Sequence, residues 1–474
     1  MSQAMSSDPL NGKTAVILGF ARQGQALARW LPTVGANVIV SDARKFGDLA
    51  DALIDFLDAP IQYALGGHPL ELLDDADLIC VSGGVPLSLP IVQTALERQI
   101  QVTNDAQLFL ERCPASVIGI TGSAGKTTTT TLVGKMCEAA GRTTWVGGNI
   151  GEVLVDHLTD MQTSDLTIME LSSFQLEIMK RSPPIACVLN VTPNHLDRHG
   201  TMEAYMAAKA NIFLHQRPDD LCIFGYDDPG ANVLADQARG RVAYFSAREM
   251  IADGAFLAGN RLMVVGHGSP DGHPHVVCMR EDIQLRGEHN LRNVLAACAL
   301  AGAVGVPIEV MRETIRAFTG VPHRLETVRV VDHVTYVNDS IATAPERVIA
   351  ALRSYDEPIV LIAGGRDKKL PWEEMATLTA QRARFMVTFG EHGPFIAEAV
   401  RAARLMGGRL EAVEQFKTLE EAVKRAAEVA HAGDVVLLSP GGTSYDAYED
   451  FAARGDHFRT LVNGLEERHR GAQR

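Results

Sequence analysis

The residues best suited to chemistry lie in the segment Thr-Gly-Ser-Ala-Gly-Lys-Thr-Thr at positions 121–128. Its glycines would leave successive backbone N–H groups exposed, and a helix beginning after them would add its partial positive charge, so that together they bind phosphate. In this pattern the Lys126 ammonium reaches the outer phosphates of a nucleotide and the Thr127 hydroxyl binds Mg²⁺. The strict motif has glycine at the position of Ile120, so the match is incomplete. We predict that the ATP-binding residues of this loop are Gly122, Ser123, Ala124, Gly125, Lys126, Thr127 and Thr128.

The elements around this loop offer further candidates. An apolar strand predicted before the loop and a helix after it are the context that the motif needs; a plain strand-to-helix turn is the alternative. The apolar stretch 166–169 predicts a strand that ends at Glu170, where an acid can bind Mg²⁺. His195 follows the next predicted strand, and we interpret it as a second metal ligand. A capping carboxylate and a surface histidine are the alternatives. Lys209 lies in a predicted helix over 202–213, and its position alone indicates no chemistry.

The chain opens with a predicted β-α-β unit of Rossmann type. A strand at 14–18 leads into the glycine loop 19–24, and a second strand at 37–41 ends before Asp42. Ala21 replaces the middle glycine of the dinucleotide motif, which favours another nucleotide diphosphate over NAD. A tight turn without a ligand is the alternative.

The last third of the chain also predicts an α/β domain. Strands alternate with helices at 334–337, 359–363, 385–389 and 434–438. Polar loops follow three of these strands, at 338–340, 364–369 and 439–444. Ligands of an open parallel sheet bind outside the carboxyl ends of its strands, so these loops are candidate binding segments. Ordinary turn chemistry is the alternative for any one of them.

Length, charge and cysteine usage limit the class of protein. A chain of 474 residues predicts about three domains. The net charge of −14 argues against a nucleic-acid partner. Seven scattered cysteines without a C-x-x-C pair indicate buried thiols in a reducing compartment. The polar N-terminus and the lack of a long apolar stretch predict no signal peptide and no membrane insertion, and we expect a cytoplasmic protein.

Seven segments, taken in order, resemble the Mur ligase family. They lie at 121–128, 147–151, 170–177, 190–198, 322–324, 338–340 and 439–444. The run Glu-Leu-Ser-Ser-Phe-Gln-Leu-Glu at 170–177 is most similar to the members that add D-glutamate to UDP-N-acetylmuramoyl-L-alanine. The resemblance implies three α/β domains: a Rossmann-like UDP-sugar-binding domain at 1–114, a central phosphate-loop ATPase-type domain at 115–321 and a Rossmann-like amino-acid-binding domain at 322–474.

The resemblance also implies an activity. The chain would be an ATP-dependent, amide-forming ligase of peptidoglycan precursor synthesis, working through an acyl phosphate as a monomer with two Mg²⁺ ions. The catalytic residues would be Lys126, His195 and Lys209, and the last of these would be carbamylated. The metal ligands would be Thr127, Glu170, His195 and Lys209.

The same resemblance assigns the substrate-binding positions. The UDP-sugar would contact Arg22, Gln23, Asp42, Arg44, Ser82, Gly83, Asn149 and Ser172. ATP would also contact Asn290, Asn293, Arg324 and Asp339. Glutamate would contact His323, Thr343, Lys368, Ser444, Tyr445 and Phe451.

Three positions depart from the family pattern. Ala124 and Asn194 replace a common asparagine and a common acid, and Ile341 stands where the family usually has a lysine. Loss of that cation leaves L-glutamate, or another Mur ligase step, as an alternative, unless Lys368, Lys369 or Arg347 supplies the charge. A phosphate-loop regulatory ATPase that acts on a protein partner is the alternative from another class.

Overall fold

A computed structural model describes residues 8–367, 370–405 and 407–466 of the protein. The chain separates after Phe318 into two compact units. Each contains parallel strands that alternate with helices, so the predicted α/β class is confirmed. Among the described residues, no helix combines the length and the apolar composition that crossing a membrane requires.

The first sheet of the first unit is entirely parallel. In chain order its elements are β1 (Thr14–Leu18), α1 (Arg22–Thr33), β2 (Asn37–Asp42), α2 (Phe46–Leu53), β3 (Ile61–Leu65), β4 (Leu78–Val81), α3 (Pro90–Glu97), β5 (Gln101–Thr103) and α4 (Asp105–Arg112). The strand order β3-β2-β1-β4-β5 is that of a nucleotide-binding α/β fold. Strands β1 and β4 are aliphatic and buried because helices cover both faces of a parallel sheet.

The second sheet of this unit has nine strands. Its elements are β6 (Ser116–Thr121), α5 (Lys126–Ala139), β7 (Thr144–Gly148), β8 (Leu166–Glu170), α6 (Ser173–Leu176), β9 (Ile185–Val188), α7 (Leu196–His199), α8 (Met202–Ala210), β10 (Leu221–Gly225), α9 (Pro229–Ala235), β11 (Arg241–Ser246), β12 (Gly254–Ala258), β13 (Arg261–Gly266), β14 (Gly272–Met279), α10 (Glu288–Ala303) and α11 (Ile308–Ala317). The strand order is β14-β13-β12-β11-β10-β9-β6-β8-β7, and the pairs β12-β13 and β13-β14 are antiparallel.

The register of the second sheet aligns the ends of its central strands. Ile120 on β6 lies opposite Glu170 on β8, and Glu170 lies opposite Gly148 on β7. On the other side of β6, Thr121 lies opposite Val188 on β9. Parallel strands end at one edge of a sheet, so the loops that follow these four strands meet there.

The second unit is built on a six-stranded sheet. Its elements are β15 (Glu326–Val331), β16 (Val334–Asn338), α12 (Pro345–Leu352), β17 (Ile359–Gly364), α13 (Glu373–Arg382), β18 (Ala383–Phe389), α14 (Gly393–Arg404), β19 (Ala412–Gln415), α15 (Leu419–Val429), β20 (Val435–Gly441) and α16 (Phe451–Asn463). The order is β15-β16-β20-β17-β18-β19, with only the β15-β16 pair antiparallel. Short 3₁₀ turns in the described chain lie at Ile54–Phe56, Leu70–Leu73, Leu154–His157 and Arg280–Asp282.

Two differences from the sequence prediction concern the second sheet and its helices. The helix predicted over 202–213 ends at Ala210, and the side-chain amide of Asn211, the next residue, donates to the Leu176 carbonyl. The antiparallel strands β12 to β14 were not predicted, because short glycine-interrupted strands depend on their neighbours more than on their own sequence. All seven cysteines are free thiols; six are buried and Cys113 is partly buried, as the sequence predicted.

Gly302 on α10 lies against the β13-β14 turn so closely that a Cβ there would come within 1.9 Å of the Gly268 carbonyl oxygen. Gly302→Ala should therefore lower the free energy of unfolding by about 1–3 kcal/mol, the usual cost of overpacking. Gly47→Ala is the matched control, since a Cβ at Gly47 on α2 meets no atom within 4 Å; it should be neutral or stabilise by up to ~1 kcal/mol. Urea denaturation measures both, and equal stability of the two variants would contradict the prediction.

Candidate active site

The loop between β6 and α5 is shaped by its glycines. Gly125 precedes the first turn of α5 with φ of +85°, and a Cβ there would lie 2.2 Å from the Asn293 side-chain oxygen on α10. A Cβ at Gly122 would lie 2.9 Å from that of Leu189. Both positions therefore require glycine, and the first N–H groups of α5 have no partner within the helix. The loop has the backbone of an anion-binding turn.

Asn190, which follows β9, holds this loop in place. Its side-chain oxygen accepts from the Ala124 N–H at 2.8 Å, and its amide donates to the Ala124 carbonyl at 3.0 Å. The Asn190 carbonyl also accepts from the Ser123 N–H at 2.9 Å. The Ser123 hydroxyl lies 2.9 Å from the Tyr205 hydroxyl on α8. Sequence reasoning missed the roles of Asn190 and Tyr205; the only signal for Asn190 was its position at the end of a strand.

Glu170 connects the loop to the neighbouring strand end. Its carboxylate is 1% exposed. It accepts from the Thr127 hydroxyl at 2.9 Å through one oxygen and from the Asn149 side-chain amide at 2.8 Å through the other. The Asn149 N–H donates to the Glu170 carbonyl at 2.9 Å. The structure thus brings together three predicted site residues from different segments: Thr127, Asn149 and Glu170.

Two lysines point at one carbonyl of the loop. The Lys126 ammonium donates to the Gly122 carbonyl at 2.8 Å, and the Lys209 amine donates to the same oxygen at 3.0 Å. Lys209 is 1% exposed, and its Nζ lies 4.7 Å from the Tyr205 ring centroid. Burial, with the nearby Lys126 charge, holds the pKa of the Lys209 amine well below its usual range, although Glu170 opposes the shift. Lys209 therefore has access to a neutral, nucleophilic form.

His195 lies just before α7 with φ of +53° and an exposed side chain. Its ring contacts that of Phe174 edge to face at 5.0 Å. Phe174 also stacks on His199 at 5.2 Å, and the Arg198 guanidinium lies over its ring at 4.6 Å. His195 thus belongs to an aromatic and basic cluster on the segment after β9.

The first sheet provides a second group of predicted residues. Asp42 accepts from the Phe20 N–H at 2.7 Å and pairs with the Arg44 guanidinium at 2.8 Å. Burial would raise the pKa of Asp42, but these bonds outweigh it and lower the pKa to about 2. The Ser82 hydroxyl donates to the Gly19 carbonyl at 3.0 Å. These bonds hold the glycine loop of β1 against the ends of β2 and β4.

Gln23 and Arg22 begin α1 and point in different directions. The Gln23 side-chain oxygen accepts from the Gly83 N–H at 2.9 Å. Arg22 donates to the carbonyls of Asn149 at 2.9 Å and Gly151 at 2.5 Å, on the loop after β7. Arg22 thus binds the second sheet of the same unit rather than the first.

In the second unit, Asp339 lies at the end of β16 and is 5% exposed. It accepts from the Ser439 hydroxyl at 2.9 Å and from the Leu325 N–H at 3.2 Å. Burial raises the pKa of Asp339 to about 7, and those bonds with the charges of Arg324 and Arg347 oppose the increase. The predicted nucleotide-contacting acid therefore binds a proton more readily than an exposed aspartate does.

His323 lies beside the same strand end. It has φ of +63°, its Nδ1 is 3.1 Å from the Asn338 amide, and its ring is 6.1 Å from that of Phe451. Burial lowers the pKa of His323, so its ring is neutral at physiological pH and accepts from Asn338.

The other predicted amino-acid-binding residues differ in exposure: Thr343 is partly buried, Ser444 is 2% exposed and Tyr445 is 65% exposed, while Lys368 lies outside the described residues.

Arg454 on α16 is a cation that sequence reasoning missed. It is 0% exposed and donates to the Ser340 hydroxyl at 3.0 Å, the Ser340 carbonyl at 2.9 Å and the Gly442 carbonyl at 3.2 Å. A Cβ at Gly365 would lie 2.9 Å from this guanidinium. Burial lowers the pKa of Arg454 to about 10, so the side chain stays charged at neutral pH. Arg454 ties together the loops after β16 and β20; a helical arginine is ordinarily exposed, and no sequence signal distinguished this one.

The described residues do not indicate a metal ion held entirely by protein side chains. Within the part of the chain that the structure describes, no group of three or more His, Cys, Asp or Glu side chains could hold an ion. The side-chain oxygens next to the loop are those of the Thr127 hydroxyl and the Glu170 carboxylate, 2.9 Å apart. This set suits Mg²⁺, which usually keeps few protein ligands and shares the rest with phosphates and water.

Comparisons with known proteins give consistent matches along the chain. Three domain families match: the Mur ligase MurD-like N-terminal domain over residues 13–104, the Mur ligase middle domain over 120–301 and the Mur ligase glutamate ligase domain over 323–442. The UDP-N-acetylmuramoylalanine–D-glutamate ligase of Symbiobacterium thermophilum is 42% identical over 95% of this chain and 98% of its own. That of Pelotomaculum thermopropionicum is 41% identical over 96% and 98%.

Solved structures share the fold at low identity. The UDP-N-acetylmuramate-alanine ligase of Thermotoga maritima matches with a TM-score of 0.55 and 18% identity, over 96% of this chain and 100% of that one. MurF from Acinetobacter baumannii matches with a TM-score of 0.54 and 19% identity, over 96% and 91%. These likenesses agree with the α/β architecture described above.

Asn190→Ala should loosen the phosphate loop, because both side-chain bonds to Ala124 are lost. We expect amide hydrogen exchange in the segment 121–125 to become at least about tenfold faster, since two lost hydrogen bonds together contribute about 1–3 kcal/mol. Asn37→Ala is the control, since that side chain is exposed and, among the described residues, donates to the Gly12 carbonyl alone, at 3.4 Å. Unchanged exchange in the Asn190 variant would show that the loop is held by other contacts.

Proposed function

Because the chain belongs to the Mur ligase family, we propose that it joins D-glutamate to UDP-N-acetylmuramoyl-L-alanine with ATP as the phosphoryl donor. The observation that supports this most directly is the 2.9 Å bond between Thr127 and Glu170 at the start of α5. Two buried oxygen groups beside an anion-binding turn suit a magnesium nucleotide. The similarity to relatives named as D-glutamate ligases, over nearly the whole chain, supports the choice of substrates.

The phosphate loop would bind the nucleotide through the N–H groups at the start of α5 and the Lys126 ammonium. For this, Lys126 exchanges its bond to the Gly122 carbonyl for one to phosphate. Thr127 and Glu170 would hold one Mg²⁺, and His195 with a modified Lys209 would hold a second. Bound Mg²⁺ neutralises phosphate charge, which lowers the repulsion between the anionic reactants.

In the proposed reaction the alanyl carboxylate attacks the terminal phosphorus of ATP. The bond to the bridging oxygen breaks, ADP leaves, and an acyl phosphate forms on the sugar substrate. The glutamate amine then attacks the acyl carbon, loses a proton, and phosphate departs as the amide forms. Positive charge from Lys126 and the helix start would stabilise the anions in both steps.

The remaining contacts follow from the family resemblance. The sugar nucleotide would bind Arg22, Gln23, Asp42, Arg44, Ser82, Gly83, Asn149 and Ser172. ATP would also bind Asn290, Asn293, Arg324 and Asp339. Glutamate would bind His323, Thr343, Lys368, Ser444, Tyr445 and Phe451. The proposal also includes three functional domains, with boundaries after residues 114 and 321. It further includes a monomeric protein that works in the cytoplasm.

Lys209 would be carbamylated. Its neutral amine attacks the carbon of CO₂, a C–N bond forms as one C=O π bond becomes a C–O⁻ group, and one proton leaves to solvent, so that a neutral amine becomes an anionic carbamate. The buried position and lowered pKa of this amine favour the reaction. The resulting carbamate would provide the oxygen ligand that an amine cannot.

The first experiment measures phosphate release from ATP with UDP-N-acetylmuramoyl-L-alanine and either D- or L-glutamate. We expect release only with the sugar nucleotide and D-glutamate. Lys126→Ala and Glu170→Gln should each reduce kcat by about 100-fold or more, as loss of one charge-stabilising group does; exposed Lys424→Ala is the control.

Release with L-glutamate instead would make Ile341 a mark of altered specificity. Release that needs neither substrate would overturn the ligase proposal and favour a regulatory ATPase.

Lys209→Ala should lose about 100-fold or more in kcat, and a small carboxylic acid such as acetate should restore part of it by occupying the vacated space. Lys209→Arg should be equally inactive but should not respond to acetate, since its side chain fills the site and cannot be carbamylated. Mass spectrometry and activity in CO₂-depleted buffer provide the direct check. An active Lys209→Ala variant would exclude the carbamate.

A further inference from the structure

We propose that Asp105 is a positioning residue that couples two halves of the sugar-nucleotide site: the turn at Ser82 and Gly83 after β4, and the turn at Ser172 after β8. The inference rests on the proposed function, which assigns both turns to the sugar nucleotide. Asp105 is the first residue of α4, between the first and second sheets of the same unit.

One side of the connection runs through Gln23. Its amide nitrogen donates to Asp105 Oδ2 at 3.4 Å, and its amide oxygen accepts from the Gly83 N–H at 2.9 Å. A glutamine amide has donors on one side and an acceptor on the other. The carboxylate therefore directs the oxygen of Gln23 towards the Gly83 turn.

The other side runs through Gln175. Its amide nitrogen donates to the same Asp105 oxygen at 3.4 Å. Its amide oxygen accepts from the Ser172 N–H at 3.1 Å and the Ser172 hydroxyl at 3.0 Å. One carboxylate oxygen thus orients two glutamines, each of which binds a different turn.

One pocket is lined by the turn at Ser82 and Gly83 and by Phe174 and Gln175 of α6, the helix that Ser172 caps. Asn104, which also lines this pocket, caps α4 and donates to the Gln175 carbonyl at 2.8 Å, which keeps Gln175 next to Asp105. A ligand in this pocket would meet residues of both sheets, and Asp105 hydrogen-bonds to a glutamine on each side.

Stability alone does not account for a carboxylate here. Asp105 is 3% exposed, and within the described chain its Oδ1 makes no hydrogen bond. Burial raises the pKa of Asp105 to about 6, although the N–H dipoles at the start of α4, Gln175 and Arg22 oppose the increase. An ionised, half-satisfied carboxylate in this position costs folding free energy. A neutral residue of the same shape would remove that cost.

The test compares Asp105→Asn and Asp105→Ala with the wild type and with Asp58→Asn, a change at an exposed aspartate. We expect the KM for UDP-N-acetylmuramoyl-L-alanine to rise about tenfold in Asp105→Ala, equivalent to ~1.4 kcal/mol, and by a smaller factor in Asp105→Asn. The KM values for ATP and D-glutamate and the kcat should change by less than about twofold.

The Tm of Asp105→Asn should equal or exceed that of the wild type at about pH 8, because a buried charge is removed. A lower Tm together with equal losses in every kinetic constant would show a merely structural role.

A double-mutant cycle tests the coupling itself. Gln23→Met and Gln175→Met should each raise the KM for the sugar nucleotide in the wild type, but add little in the Asp105→Ala background. Fully additive effects would overturn the proposal.

Hydrogen exchange separates this inference from the proposed function. Asp105→Ala should speed exchange of the amides of both Gly83 and Ser172, with no substrate present. If the wild type does not use the sugar nucleotide, the proposed function fails, yet faster exchange at both turns still supports the coupling. Faster exchange at one turn only, or at neither, would overturn it.

Discussion

The candidate active site depends on one buried carboxylate, that of Glu170. A charge with 1% exposure is costly to bury unless hydrogen bonds satisfy it. Here the Thr127 hydroxyl and the Asn149 amide do so, each at under 3 Å. The phosphate loop, the end of β8 and the loop after β7 are therefore held in register before any ligand arrives. In the proposed function, a magnesium nucleotide would meet oxygen groups that are already in position, which is what preorganisation means.

Side chains that bind backbone groups recur at the other strand ends. Asn190 binds both polar groups of Ala124, Gln23 binds the Gly83 N–H, and Arg454 binds the carbonyls of Ser340 and Gly442. Loops at the carboxyl end of a parallel sheet have no ladder to satisfy their backbone, so side chains must supply the partners. The same bonds limit where the loops can move. Arg454 also shows that the second unit keeps a buried positive charge at Ser340, the residue before Ile341.

Within the first unit, polar contacts join the two sheets at the site. Arg22 reaches the loop after β7, Arg198 donates to the Val85 carbonyl at 3.4 Å, and Asp105 lies between glutamines of both sheets. Apolar side chains also pass between the sheets, since Val153 and Val155, which lie between β7 and β8, belong to the core cluster of the first sheet. The position of one sheet against the other therefore depends on apolar packing as well as on these polar contacts.

The sequence by itself determined the α/β class, the phosphate loop and the family, because glycine spacing, apolar strands and a Lys-Thr pair act through local backbone geometry. It also located Glu170 at a strand end. It did not determine which residue Glu170 binds, that Asn190 holds the loop, or that Lys209 is buried with a lowered pKa. Nor did it distinguish Asp105 or Arg454 from ordinary helical residues. Those properties come from side chains far apart in the chain that meet in a low-dielectric interior, and only the tertiary structure decides which groups lose water there.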